Sequence, residues 1–159
     1  MTGYREALLL LGGDLGDVRS TMEHAQEAIA KDVGPVLAVG RAHWTEPWGF
    51  AGEKLFLNKA ISVRTALEPT DLLRTLLRIE ERLGRVRGTS KGYSSRTLDI
   101  DILLIGDSVV DLPELRVPHP LFHQRRFALA PAADVAPLAV HPILQRTVLQ
   151  LLNDLGTKA

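Results

Sequence analysis

Apolar positions along the chain recur in two rhythms, and the order in which these alternate predicts the architecture. Ala7-Leu8-Leu9-Leu10-Leu11 is a continuous apolar run stopped by Gly12-Gly13, the pattern of a buried strand entering a tight turn. Val18, Met22, Ala25 and Ile29 then recur three or four residues apart, which predicts a helix ended by Gly34-Pro35. Residues 36–45 read as a second strand, with β-branched and aromatic side chains up to Trp44-Thr45. Leu55 to Thr65 reads as a third, placing Phe56, Asn58, Ala60 and Ser62 on one face and Leu55, Leu57, Ile61 and Val63 on the other. A second helix carries the stripe Leu72, Leu73, Leu76, Leu77, Ile79 and Leu83, with Thr70 as its N-cap after Pro69 and Gly84 as its stop. Leu98 to Ile105 is a fourth strand, closed by the turn Gly106-Asp107. Beyond it, Val117-Pro118-His119-Pro120 and Ala130-Pro131 alternate with short helical stretches. A last helix covers roughly residues 145–155, with Leu149, Leu152 and Leu155 inside.

The order β-α-β-β-α-β followed by an irregular α-rich tail predicts an α+β, ferredoxin-like sheet with helices packed on one face. That scaffold serves many activities, so it leaves function open. A length of 159 residues suits one domain, here residues 1–159, and no repeat, low-complexity tract or linker divides it. No apolar run approaches the ~20 residues needed to span a bilayer, and the start lacks the long apolar stretch of a secretory signal, so a cytoplasmic protein is expected. The chain has no cysteine, which removes disulfides, thiolate metal sites and thiol catalysis together.

Net charge is zero, which argues against non-specific nucleic-acid binding. The charge is unevenly placed, however. Arg82, Arg85, Arg87, Lys91 and Arg96 follow one another without an intervening acid, and Asp99 and Asp101 come directly after. On a strand these two aspartates project side by side, about 7 Å apart, and repel unless something positive lies between them. Mg2+ suits such a pair, because it takes a few carboxylate oxygens and completes its shell with water and phosphate. A solvated strand face accounts for Asp-Ile-Asp on its own. The preceding arginines favour the metal, since guanidinium forks match phosphate oxygens. Trp48 and Phe50 lie in a loop rich in Pro and Gly, and either a ligand or the core could cover them. His119 is held between two prolines. Gly12-Gly13-Asp14-Leu15-Gly16 fits neither a Walker A motif nor a dinucleotide fingerprint, and no histidine cluster has zinc-ligand spacing.

Four stretches, taken together, resemble the 6-hydroxymethyl-7,8-dihydropterin pyrophosphokinases of folate biosynthesis. They are Leu10-Leu11-Gly12-Gly13-Asp14-Leu15; Thr45-Glu46-Pro47-Trp48-Gly49 with Phe56-Leu57-Asn58; Glu80 to Arg87 leading to Arg96-Thr97-Leu98-Asp99-Ile100-Asp101; and Val117-Pro118-His119-Pro120 with Arg125-Arg126-Phe127. The resemblance implies that the pterin hydroxymethyl oxygen attacks the β-phosphorus of ATP and that AMP leaves. It implies two Mg2+ ions held by Asp99 and Asp101, with Arg85, Arg96 and Arg125 on phosphates and Arg87 on a loop that closes over the site. It places Lys91, Ile102 and His119 on the nucleotide. Phe56 and Phe127 would sandwich the pterin, Asn58 would read its edge with Asp99 nearby, and groups near Thr45 and Trp48 would complete the pocket. The chain departs from the family pattern at Gly13-Asp14, at Phe56 where a tyrosine is usual, and at Ser94-Ser95 where Gly-Pro is usual.

Two other classes compete. A nucleotidyltransferase also joins a Gly-rich turn to paired aspartates, but there the aspartates follow the turn closely, and here roughly 85 residues intervene. A ferredoxin-like ligand- or RNA-binding module would interleave aromatic and basic residues on its central strands, which these strands do not show. The expected partners are therefore ATP and the pterin, without nucleic acid, membrane or an obligate protein partner.

Overall fold

A computed structural model describes residues 3–13, 18–45, 56–84 and 98–156. The elements are β1 (Arg5–Gly13), α1 (Val18–Asp32), β2 (Val36–Val39), β3 (His43–Thr45), β4 (Phe56–Thr65), α2 (Pro69–Gly84), β5 (Asp99–Ile105), β6 (Val110–Leu112), β7 (Leu115–Val117), a 3₁₀ turn (Phe122–Gln124), α3 (Arg126–Val135), β8 (Val140–His141), β9 (Arg146–Thr147) and α4 (Val148–Gly156). The main sheet runs β2-β4-β1-β5, with β3 also on β4, and every pairing in it is antiparallel. This is the ferredoxin-like order expected from the sequence.

The expected second strand is broken. β2 and β3 are separate segments along the same side of β4, divided at Gly40, whose N–H bonds the Ala60 carbonyl at 2.9 Å. Gly40 is needed there because a Cβ would sit 3.0 Å from the Cβ of Asp134 in α3. Gly34, which turns the chain out of α1, is equally constrained: a Cβ on it would come within 1.9 Å of the Arg64 carbonyl oxygen. The α1 stripe is as expected, with Val18, Met22, Ala25 and Ile29 buried.

Helices cover both faces of the sheet, not one. On the first face α1 and α2 close over Ala7, Leu9, Leu11, Leu57, Ile61, Val63, Ile100 and Ile102. On the second, α3, α4 and the 3₁₀ turn cover Leu8, Leu10, Ala60, Leu103 and Leu104. That is why five consecutive residues from Ala7 are apolar: β1 is central and buried from both sides. A bulge between Leu8 and Leu9 opposite β5 lets Leu103 and Leu104 both join the second core while Ile105 returns to the first.

Several boundaries differ from expectation. Leu72 donates its N–H to the Glu68 carbonyl, so α2 starts one residue before Thr70, with Pro69 at the first helical position where its missing N–H costs nothing. Leu77 (49% exposed) and Leu149 (41% exposed) face solvent. Pro131 lies inside α3 and is buried there, so packing offsets the hydrogen bond it removes. The hairpins β6–β7 and β8–β9 stand where only short helical stretches were expected; segments of two or three residues are too short to show a period. Among the described residues no helix is long and apolar enough to cross a membrane.

Candidate active site

Register determines which side chains meet. Residues directly opposite in antiparallel strands share a face, and His43, Asn58, Gly12 and Asp99 form one row across β3, β4, β1 and β5. The next row is Ala60, Leu10 and Asp101. Phe56 precedes Asn58 by two residues and shares its face. The second face therefore changes from an aliphatic floor to Phe56, Asn58, Asp99 and Asp101 toward this end of the strands. Trp44, opposite Leu57, turns to the first face, where the guanidinium of Arg19 lies 5.5 Å from its ring centroid.

Asn58 is 2% exposed, and its Nδ2 has no hydrogen-bond partner among the described residues. A buried amide nitrogen left unpaired costs roughly 1–3 kcal/mol, a cost a bound acceptor removes. Gly12 makes the space: a Cβ there would lie 3.1 Å from Asn58 Oδ1 and 3.2 Å from Phe56 Cε2. Phe56, Asp99 and Asp101 are half-buried.

The strand carrying the carboxylates is held at its outer edge. Ile100 donates its N–H to Glu80 Oε2 of α2 at 2.7 Å, and the Leu103 carbonyl accepts from the His119 N–H at 3.1 Å. The side chain of Ile102 is 5% exposed in the first core, so only its main chain can serve a ligand on the second face or the strand edge.

The segment after β7 brings the remaining groups. The Val117-Pro118 peptide bond is cis. Leu121 donates its N–H to His119 Nδ1 at 3.2 Å, so in the neutral ring the proton sits on Nε2, which is then a donor. Burial lowers the His119 pKa, while the Asp101 charge raises it and Arg125 lowers it, so these three groups sense one another. The Arg125 guanidinium stands 5.3 Å from the centroid of Phe127, which is 36% exposed. The structure thus gathers Asp101, His119, Arg125 and Phe127 beside the row that holds Asn58 and Asp99. Thr45 contributes its main chain to β3 opposite Phe56. Trp48, Arg85, Arg87, Lys91 and Arg96 lie outside the described residues.

Sequence reasoning missed three participants: Gly12 as a spacer, Glu80 as a strut, and the pairing of His43 with Asp134. Only Glu80 leaves a local trace. It stands four residues after Leu76, a charged group on the apolar stripe of α2.

A relative from Porphyromonas gingivalis, named 2-amino-4-hydroxy-6-hydroxymethyldihydropteridine pyrophosphokinase, is 44% identical over 138 residues, 84% of this chain and 92% of its own. Relatives of the same name from Synechocystis sp. (33% over 155 residues, 96% and 77% of the two chains) and Pseudomonas aeruginosa (40% over 128 residues, 80% and 78%) also match. Among solved structures, the wild-type HPPK-DHPS of Plasmodium falciparum has the same fold, with a TM-score of 0.76 at 16% identity over 97% of this chain. This chain spans 45% of the length of that one. Residues 8–137 match the family model 7,8-dihydro-6-hydroxymethylpterin-pyrophosphokinase, and the chain belongs to that family.

Proposed function

We infer that this chain transfers diphosphate from ATP to the hydroxymethyl oxygen of 6-hydroxymethyl-7,8-dihydropterin and releases AMP, a step of folate biosynthesis. The observation that carries the assignment to this face is the row from Asn58 through Gly12 to Asp99. It puts a buried amide, unpartnered among the described residues, and a carboxylate two strands apart, about 10 Å, which a fused bicyclic ring with a one-carbon arm can bridge.

Asn58 Nδ2 donates to an acceptor on the pterin edge, Phe56 and Phe127 stack on its two faces, and main-chain groups near Thr45 and Trp48 complete the pocket. Asp99 and Asp101 are the groups to hold Mg2+: two oxygen donors on one strand face, half-buried at an open end, match its preference. Mg2+ held by Asp99 and Asp101 would supply positive charge to offset the negative charge of the phosphate groups. His119 Nε2 and the Arg125 guanidinium donate to phosphate oxygens, joined by Arg85, Arg87, Lys91 and Arg96, and the main chain of Ile102 meets the base. The new O–P bond forms at the β-phosphorus as the bond from that phosphorus to the bridging oxygen of AMP breaks. Arginines around the site stabilise the charge that develops on the transferred group. The chain acts as one domain in the cytoplasm, on two small substrates.

Incubation of the purified protein with ATP should yield AMP only when Mg2+ and the hydroxymethyl pterin are both present. Release of ADP, or AMP formation without the pterin, would refute the assignment.

A further inference from the structure

α3 lies across the second face of the sheet, packed chiefly over β4 and touching β1, β2 and β3. Its first turn carries Phe127 and its last carries Asp134. Seven residues make nearly two full turns, so both side chains leave the same side of the helix, about 10 Å apart. At the Asp134 end the helix is tied to the chain as it passes from β2 to β3. Asp134 Oδ2 accepts from His43 Nε2 at 2.8 Å and from the Arg41 main-chain N–H at 3.1 Å, and Oδ1 accepts from the Arg41 guanidinium at 3.0 Å. The Asp134 and His43 side chains are 14% and 23% exposed, and Gly40 leaves the room that lets the helix approach. β3 itself is a three-residue segment paired, among the described residues, only with β4, too short to hold its place by ladder bonds alone. Yet His43 stands directly opposite Asn58, and Thr45 opposite Phe56.

We propose that Asp134 and His43 are positioning residues for the pterin: by tying the far end of α3 to β3, they fix Phe127 relative to Phe56 and Asn58. This rests on the reading of that slot as the pterin site. The two bonds differ in weight. The Arg41 side chain is 79% exposed, so its ion pair is screened by solvent, whereas the His43 bond is shielded. The carboxyl of Asp134 is held below the usual range: burial opposes this, but bonds from Arg41 and His43 outweigh it, so the tether is charged at neutral pH.

The test measures binding of the hydroxymethyl pterin and, separately, of a non-hydrolysable ATP analogue with Mg2+, alongside thermal unfolding. Asp134→Asn and His43→Ala should each weaken pterin binding about tenfold while ATP-analogue binding stays within about twofold. His43→Gln, which keeps a donor near the Nε2 position, should recover most of the loss, and Arg41→Ala should change binding less than about twofold. Equal loss for both ligands would make the contact merely structural and overturn the proposal. So would a His43→Gln variant as weak as His43→Ala, which also decides the matter if Asp134→Asn does not fold. If the unmodified chain binds no pterin, the site reading falls and takes the proposal with it. If it binds pterin and the variants bind equally well, only the tether is refuted.

Discussion

Across the first face of the sheet, α1 and α2 meet Leu9, Leu11, Ile61 and Ile100 in an aliphatic layer. Across the second, the same strands present Leu8, Leu10 and Ala60 and then, within two residues, Gly12, Asn58, Asp99 and Asp101. Alternation along a strand keeps these two sets of demands separate, because each residue answers to one face only. The comparison teaches that stability and chemistry can reside in neighbouring positions of one strand with little interference. It also says where interference must occur: at residues whose side chain is small or absent because a functional group needs the space.

Substitutions test that separation. The largest effect should come from Asp101→Ala on the second face, with turnover falling about a thousandfold, read as AMP release, and a melting temperature within a few degrees of the parent. A comparable loss of both would mean that the carboxylate also supports the fold. Leu9→Ala on the first face should do the reverse. It should cost about 3 kcal/mol in denaturant unfolding and leave turnover per folded molecule near the parent value. Phe127→Ala is intermediate, weakening pterin binding by about thirtyfold and ATP binding by less than about threefold. Equal losses would remove Phe127 from the pterin pocket.

The smallest effect concerns protons. His119 and His141 both have pKa values lowered by burial, His141 also by the nearby His123. The unfolded chain therefore binds more protons than the folded one below the ordinary histidine value of about 6.5. Stability should be complete above that pH and should decline as pH falls through it toward the folded-state values. His119→Gln should reduce this decline, measured as the change in denaturant midpoint between pH 7.5 and pH 5.5, values set roughly a unit on either side. An unchanged pH slope would show that His119 is not linked to folding.

Much of this was legible before any coordinates. The α1 stripe and the alternation of β4 are local rhythms, and Asp99-Ile100-Asp101 on a strand faces one way by geometry alone. What stayed hidden depends on partners far away in the chain. Nothing around Asp134 announces His43, 91 residues earlier, and nothing in Gly12-Gly13 says that the first glycine stands beside an amide on another strand. The covered second face was missed for a related reason. Two-residue strands and a proline-containing helix carry weak local signals, so the tail reads as irregular although it covers the second face of the sheet. Leu77 and Leu149 fail in the opposite direction: each sits at the margin of a good stripe and ends in solvent.

β5 has a further consequence as the outermost strand on its side of the sheet. An open margin of N–H and C=O groups is a template on which a stray chain can crystallise into fibre, and most proteins blunt it with charge or cover. Here Glu80 takes the N–H of Ile100 and His119 takes the carbonyl of Leu103, and among the described residues two positions, Asp101 and Ile102, lie between these plugs, which stand about 10 Å apart. Such a gap is wide enough for one planar heterocycle and too narrow for a foreign strand to find its register. The same two plugs that steady the carboxylates would then let the margin stay open to a nucleotide base while closing it to aggregation.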